Sequence, residues 1–381
     1  MTQSVDTTQR NPAGLQVFDT LATVMTGDIQ PGTAPSKPRV TVIIPVHNGA
    51  STLEACLPPL LQNSSDLAEV LVIDDRSTDG SGAVARALGA TVIQSTGLGP
   101  AAARNLGASR ARGDILFFVD ADVTVKPYTV QQVVDVLDAD PTVSAVFGSY
   151  DDEPYEPNFL SQYKNLFHHF THQTARSKSS SFWAGCGAIR RDAFDAVGGF
   201  DEQRYQRASI EDIELGFRLS KGNFQVHLDS GMQVKHLKRW KFFSLIKTEI
   251  VDRARPWSTL VISNNAIPDD LNLRWSFRLS AVLVGVLALA FPFLVIGQGR
   301  FYGLEVSEIA LAAILVSCAI VILLNRGFYL FLIGARGLGF TLRAVPLHLC
   351  YYFYSGVTFV VCWVWEQGGR MIAARIRDRA L

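Results

Sequence analysis

Cysteine is scarce in this 381-residue chain, and the few cysteines it has do not pair up. Cys56, Cys186, Cys318, Cys350 and Cys362 make an odd count with no CxxC spacing. That excludes a disulfide framework and a zinc cage, and it fits a reducing compartment. An excess of charge of one sign is also missing, since 35 Lys and Arg balance 35 Asp and Glu. Without a basic field to neutralise phosphates, a nucleic-acid partner is excluded. The opening stretch MTQSVDTTQRNPAGLQ lacks a basic region followed by an apolar run, so it does not read as a secretory leader. The soluble part is therefore expected on the cytoplasmic side. Residues 1–38, rich in Thr, Gln, Pro and Gly, can bury little apolar area and are expected to form a disordered tail.

From Arg39 onward the chain alternates short β-branched runs with helical segments. VTVIIPV, EVLVIDD, ATVIQS, DILFFVDAD and VSAVFGSY are nearly continuous apolar runs, as strands buried on both faces of a mostly parallel sheet are. STLEACLPPLLQ, SGAVARALG, GPAAARNLGASRAR and YTVQQVVDVLDADP lie between them with helical spacing or composition. Gly99-Pro100 puts a proline at a helix start, where its missing N–H costs nothing. Such a βαβα order predicts an α/β domain, with its ligand crevice at the carboxyl ends of the strands. Asp74, Asp75, Asp120 and Asp122 all fall at strand ends and so converge on that crevice. A dinucleotide site would need G-x-G-x-x-G after the first strand; the sequence there is Pro45-Val46-His47-Asn48-Gly49-Ala50, and a dehydrogenase is excluded.

Past residue 276 lie three long apolar stretches, at 279–297, 309–324 and 345–365. The first and last are long enough to cross a hydrocarbon core of ~30 Å, and the second is so if it starts near Val306. Trp275, Tyr351, Tyr352, Trp363 and Trp365 stand near their ends, as interfacial aromatics do. GFYLFLIGARGLGFTLR, punctuated by Arg326, Arg336 and Arg343, reads as an interfacial segment on the cytoplasmic side. Three crossings from the cytoplasm put the tail GGRMIAARIRDRAL and its four arginines outside, against the positive-inside rule. Either one stretch is re-entrant or the interfacial segment crosses. The expected organisation is a tail at 1–38, a catalytic domain at 39–260, an interfacial linker at 261–276, a membrane region at 277–370 and a basic tail at 371–381.

Asp120-Ala121-Asp122, preceded by DILFFV, suits a sugar nucleotide. Glycosyl transfer builds negative charge on a departing diphosphate, and an Asp-x-Asp at a strand end can hold the divalent cation that answers it. Phe167-His168-His169-Phe170-Thr171-His172 sets His168 and His172 one helical turn apart, which can mimic a metal site. No acidic third ligand stands at a diagnostic spacing, so a polar face toward the acceptor is the better reading.

VTVIIPVHN, VLVIDDRSTDGS, GPAAARNLGASRARGDILFFVDADV, WAGCGAIRRDAFDAVGGFDE and IEDIELGFRL follow one another in the order and spacing of the family 2 glycosyltransferases, which this chain resembles over roughly 39–260. The resemblance implies a GT-A fold, a Rossmann-like mostly parallel sheet flanked by helices, here followed by C-terminal transmembrane helices. It implies that Pro45 and its neighbour Asn48 line the base pocket, and that Asp75, and with less force Asp74, accepts a hydrogen bond from the base or ribose. Arg104 would face the diphosphate, where a guanidinium is well suited. Asp120, Asp122 and His236 would hold Mn²⁺ or Mg²⁺. Trp183 and Gly185 belong to the loop under the donor sugar and acceptor; Cys186 beside them reads as a small buried residue rather than a nucleophile. In Glu211-Asp212 the second acid is the implied general base. Processive relatives carry Gln-x-x-Arg-Trp where this chain has His236-Leu237-Lys238-Arg239-Trp240, so Arg239 and Trp240 match but a processive polymer synthase does not. The same basic segment also reads as an amphipathic helix on the membrane surface.

The function implied is inverting transfer of a sugar from a nucleotide-diphosphate sugar to a lipid or lipid-linked acceptor at the cytoplasmic membrane face. A polyprenyl-phosphate acceptor, which would need no base, and a non-catalytic sugar-nucleotide-binding membrane protein are the alternatives.

Overall fold

The computed structural model describes residues 39–62, 65–97, 99–264 and 270–380, with side chains as far as Gly368. The expected tail at 1–38 and the side chains of the basic tail lie outside the described residues.

All five expected strands are present: β1 (Val40–Val46), β2 (Leu67–Asp74), β3 (Thr91–Gln94), β4 (Ile115–Val119) and β6 (Val143–Tyr150). The expected helices stand between them, at Ala50–Leu61, Ser81–Ala87, Gly99–Arg110 and Thr129–Ala139. Four more strands complete a nine-stranded sheet: β5 (Val123–Thr124), β7 (Lys178–Ser179), β8 (Cys186–Arg190) and β9 (Gln225–His236), in the order β3-β2-β1-β4-β8-β6-β9-β5 with β7 also on β9. The pairs β1–β2, β1–β4, β2–β3 and β6–β9 are parallel, whereas β8 runs antiparallel to both β4 and β6. This mostly parallel sheet is the α/β architecture expected.

Successive side chains of a strand point to opposite faces, so each strand feeds two cores. Val42, Ile44, Val72, Phe117 and Val119 pack under the helices Ala50–Leu61 and Thr129–Ala139. Ile43, Leu71, Ile73, Leu116 and Phe118 pack under Gly99–Arg110 and the helix Glu211–Lys221.

Among the described residues three helices are long and apolar enough to cross a membrane: Trp275–Ile296, Val306–Leu324 and the stretch Leu338–Gly368 of a longer helix. The second starts at Val306, as its required length predicts. The first two are antiparallel, because Asn325 at the end of one donates to Ser280 Oγ at the start of the other, at 3.0 Å. Tyr352 of the third bonds the same Asn325, at 2.7 Å. The segment read as interfacial is a helix, Arg326–Arg336, and it packs on the α/β domain. Its Phe328, Tyr329 and Leu332 join Tyr163, Leu166 and Phe167 of the helix Phe159–Gln173 in one buried cluster. Arg336 reaches Gln162 Oε1 at 2.8 Å.

Candidate active site

Parallel strands end at one edge of the sheet, and the chain has set its carboxylates there. Asp120 and Asp122 follow β4 in a turn closed by Val123 N–H donating to the Asp120 carbonyl at 3.0 Å. β5 then pairs with the end of β9, Val123 opposite His236, and Leu237 N–H donates to the Asp122 carbonyl at 2.8 Å. That short ladder is why residues 114 positions apart lie side by side: His236 Nε2 is 3.8 Å from Asp122 Oδ2. The imidazole is fixed by stacking on Tyr150, with ring centroids 4.3 Å apart. Burial alone would raise the Asp122 carboxyl, but His236 and then Lys238 outweigh it and hold it down to about 2.

Asp120 faces the other way. Its Oδ1 takes a 2.8 Å bond from Arg104 Nη2, while Arg104 Nη1 binds Glu211 Oε1, also at 2.8 Å. Arg104 lines the cavity, as a diphosphate-facing residue would, but its side chain is buried and both of its terminal nitrogens bind carboxylates, its Nε alone being unpartnered. Glu211 is likewise buried and closes the N-terminus of its own helix, its Oε2 accepting from Ser209 N–H at 2.8 Å. It also borders the cavity.

Asp212, the next residue, opens onto the cavity. Its Oδ2 accepts the Ala184 N–H at 3.1 Å and its Oδ1 the Ile213 N–H at 2.8 Å. Burial, then the neighbouring Glu211, push its carboxyl up against the pull of Arg104, to about 7. A carboxyl held there exchanges its proton near neutrality, well above the reference value that sequence alone suggested.

On the nucleotide side, Pro45, Asn48 and Asp75 line the same cavity. Asp75 Oδ2 accepts from Gly99 N–H at 3.2 Å, whereas its buried Oδ1 has no partner, so an acceptor is left for a ligand. Gly99 sits at φ +86°, and a side chain there would meet the Gln206 carbonyl at 2.4 Å. Asn48 has a structural side chain, Oδ1 taking the Thr78 N–H at 2.8 Å. Asp74 does not reach the cavity: its carboxylate receives Ser77 N–H at 2.9 Å and Gln94 Nε2 at 3.0 Å and braces the turn after β2. Gly185 also lies off the lining, and a Cβ there would come within 2.4 Å of the Trp183 indole. It lets Trp183 fold back over Tyr150, centroids 4.7 Å apart. Burial pushes the Cys186 thiol up, consistent with a packing role.

Arg239 and Trp240 border the cavity too. Trp240 is buried, stacked by Lys238 at 4.6 Å, with its Nε1 unpartnered. His168 and His172 lie 4.1 Å apart, centroid to centroid, in the lining. Burial drives both down, His172 to about 4, so they face the cavity as neutral rings. Among the described residues no three His, Cys, Asp or Glu side chains converge as a ready-made metal cage. Asp122 and His236 nevertheless suit a hard divalent cation that takes few protein ligands and fills its remaining positions from substrate phosphates and water.

Residues 41–198 match the family model described as Glycosyl transferase family 2. The chain carries a family 2 glycosyltransferase domain. Among curated relatives it is 25% identical over 287 residues to the uncharacterised protein MT1568 of Mycobacterium tuberculosis, covering 67% of this chain and 86% of that one. It is 27% identical to the probable glycosyltransferase YdaM of Bacillus subtilis, over 48% of this chain and 46% of that protein. It is 28% identical to a validoxylamine A glucosyltransferase of Streptomyces hygroscopicus, over 50% and 53%. The chain thus spans about half the length of these two. A solved mannosyltransferase from Pyrobaculum calidifontis, in complex with GDP-Man and Mn²⁺, superposes over 91% of this chain and 94% of its own, with a TM-score of 0.47 and 18% identity.

The fold also brings to the cavity charged residues the sequence reading passed over. Lys164, Glu249 and Arg253 line it too, Glu249 bonded to Tyr354 of the helix Leu338–Ala380. Each had only a weak signal: Lys164 is a lone charge in the aromatic run FLSQYKNLFHHF, and Glu249 and Arg253 stand four apart in KTEIVDRARPW.

Proposed function

We propose that the protein is an inverting, metal-dependent glycosyltransferase that moves a sugar from a nucleotide-diphosphate sugar to a lipid or lipid-linked acceptor at the cytoplasmic face of a membrane. One observation carries this reading. A single cavity of about 1420 Å³ runs from Asp75, past Asp122, His236 and Asp212, to side chains of the helices Trp275–Ile296 and Leu338–Ala380. Donor chemistry and membrane access share one space.

In the proposed reaction, Asp212 takes the proton of an acceptor hydroxyl. The oxygen attacks the anomeric carbon from the face opposite the diphosphate, the bond from that carbon to the diphosphate breaks, and the configuration inverts. Products are the glycosylated acceptor and the nucleoside diphosphate. Asp122 and His236 would hold a divalent cation, which when bound supplies positive charge to the departing diphosphate. Asp75, with its unpartnered oxygen, would receive a donor from the base or ribose. Arg104 holds Asp120 and Glu211 in place beside Asp212. Three apolar helices, the first two antiparallel, support three crossings, and with the domain in the cytoplasm the C-terminal end then emerges outside.

The test is a donor screen on detergent-solubilised full chain with Mn²⁺, measuring nucleoside diphosphate release from a panel of nucleotide sugars. Release from one or a few sugars is expected, rising when membrane lipid extract is added. No release from any sugar, with lipid present, would overturn the reading.

A further inference from the structure

The helix Phe159–Gln173 carries His168, His169 and His172, and two of them are anchored. His169 and His172 each set Nδ1 on a backbone carbonyl of β6, that of Tyr150 at 2.8 Å and that of Gly148 at 3.1 Å. His168 is not anchored: its ring lines the cavity, and its Nδ1 is buried with no hydrogen-bond partner. Asn165, three residues earlier, repeats the pattern. It is 1% exposed and lines the same cavity. Its Nδ2 donates to the Asp151 carbonyl at 2.6 Å, which fixes the amide's orientation and leaves Oδ1 buried without a partner. Residues three apart share a helix face, with Cβ atoms about 5–6 Å apart. Native folds leave few buried polar atoms unpaired, so two such atoms side by side on one cavity wall point to a ligand that completes them.

The helix touches the reacting centre at His168. The imidazole lies 4.6 Å from the Tyr150 ring and 5.2 Å from the Trp183 indole, centroid to centroid. Tyr150 stacks on His236, and Trp183 precedes Ala184, whose N–H bonds Asp212. At Lys164 the same helix reaches toward the apolar helices. Lys164 Nζ binds Glu249 Oε1 of the π-helix Thr248–Ala254 at 2.8 Å, and Tyr354 donates to Glu249 Oε2 at 2.9 Å. The face that holds Asn165 and His168 therefore belongs to the acceptor side of the cavity, away from the Asp75 end.

Chemistry selects the class of ligand. Asn165 is an amide and burial keeps His168 neutral, so neither attracts an anion. The nearby cations Lys164 and Arg253 are both bound to Glu249. A bare alkyl chain would leave both polar atoms open. Two neutral hydrogen-bonding groups beside Tyr150 and Trp183 suit a neutral sugar ring, with hydroxyls at its edge and a C–H face for the aromatics.

We propose that Asn165 and His168 form a subsite that bonds two hydroxyls of a neutral sugar ring on the acceptor, so that the hydroxyl presented to Asp212 belongs to a saccharide and not to a bare lipid alcohol. This deepens the glycosyltransferase reading and rests on it. Asn165 Oδ1 accepts from one hydroxyl, and His168 Nδ1 bonds the second.

The probes are hexyl glucoside, galactoside, mannoside and N-acetylglucosaminide, with hexanol as the sugarless control. They are offered to the full chain in phosphatidylcholine nanodiscs, with empty nanodiscs as background. Binding is read by calorimetry, which needs no turnover, and transfer is read with the nucleotide sugar that the donor screen selects. At least one glycoside is expected to bind ~10-fold or more tighter than hexanol, and its monodeoxy analogues should reveal two hydroxyls whose loss each weakens binding by ~10-fold or more. His168→Phe keeps the aromatic packing but has no nitrogen; it should erase the effect of one of those deletions and raise KM more than it lowers kcat. His168→Asn puts a polar atom near the place of Nδ1 and should restore much of the lost affinity. Hexanol bound as well as every glycoside, or a His168→Phe chain that still discriminates against both deoxy analogues, overturns the subsite. The deoxy series on the wild type decides the matter even where a variant fails to fold. Absence of nucleoside diphosphate release from every donor, with glycoside binding and its deoxy pattern intact, would count against the glycosyltransferase reading alone.

Discussion

Arg104 and Glu211 are 107 residues apart in sequence and meet at 2.8 Å with both side chains 5% exposed. The same guanidinium binds Asp120, so one cation joins the helix Gly99–Arg110, the turn after β4 and the start of the helix Glu211–Lys221. Removing it leaves buried carboxylates unpaired, which costs about 3–5 kcal/mol. Arg104→Leu is therefore expected to lower the thermal midpoint of the full chain by many degrees before any nucleotide is added. A normal midpoint with weakened nucleoside diphosphate binding would return Arg104 to the diphosphate-facing role.

Asp122 and His236 are tied to each other by the β5–β9 ladder, and the cation they would hold sets a second prediction. Asp122→Ala and chelation of the wild type by EDTA should each lower nucleoside diphosphate release by at least ~10³, since a bound cation contributes several kcal/mol to a developing charge. Mn²⁺ should restore the chelated wild type and not the variant. His236→Ala should need more Mn²⁺ for half-maximal release. Undiminished turnover in EDTA removes the metal from the reaction.

The parallel half of the sheet was legible because its strands are buried on both faces and so read as unbroken apolar runs. β9, QVHLDSGMQVKH, was not: its buried and accessible residues alternate and it carries Asp229, Ser230 and Gly231 mid-strand. β8 hides in WAGCGAIRRD for a related reason, since small residues under the Trp183 loop mask the β pattern. At the site, residue types and order pointed to Asp75, Asp122, Asp212 and His236, because each stands at an element's end. Sequence could not say that Arg104 spends its charge on Glu211, nor that Asp74 braces a turn, since both depend on pairings across the fold. Lys164 and Arg253 escaped because neither lies in a motif, and only the packing of the π-helix against Phe159–Gln173 brings them together.

The helix Arg326–Arg336 bears on how the chain can be cut. A chain ending at Asn272 loses the three long apolar helices and with them Phe328, Tyr329 and Leu332, which bury Tyr163, Leu166 and Phe167. Such a fragment should leave the membrane fraction yet bind an apolar-sensing dye strongly and self-associate without detergent, as an exposed apolar patch does. In the full chain, Phe328→Ala should cost about 3–5 kcal/mol. A monodisperse, dye-silent fragment would show that the cluster does not hold the catalytic domain.

Asp212 decides between a hydroxyl acceptor and one that arrives ionised. Burial and Glu211 raise its carboxyl to about 7, so the base form is populated above that pH and is lost below it. With a hydroxyl acceptor, the transfer rate should climb about tenfold per pH unit up to about pH 7 and then level off. Asp212→Asn keeps the size and the bond from Ala184 N–H but has no basic oxygen. Its rate should fall by ~10²–10⁴ and lose the acid limb, while donor affinity by calorimetry stays within a few-fold. A variant that transfers at near-normal rate would refute the base and favour attack by a lipid phosphate, whose oxygen needs no deprotonation. A variant that loses donor affinity along with rate would make Asp212 part of the donor pocket, because the Ala184 bond ties it to the Trp183 loop.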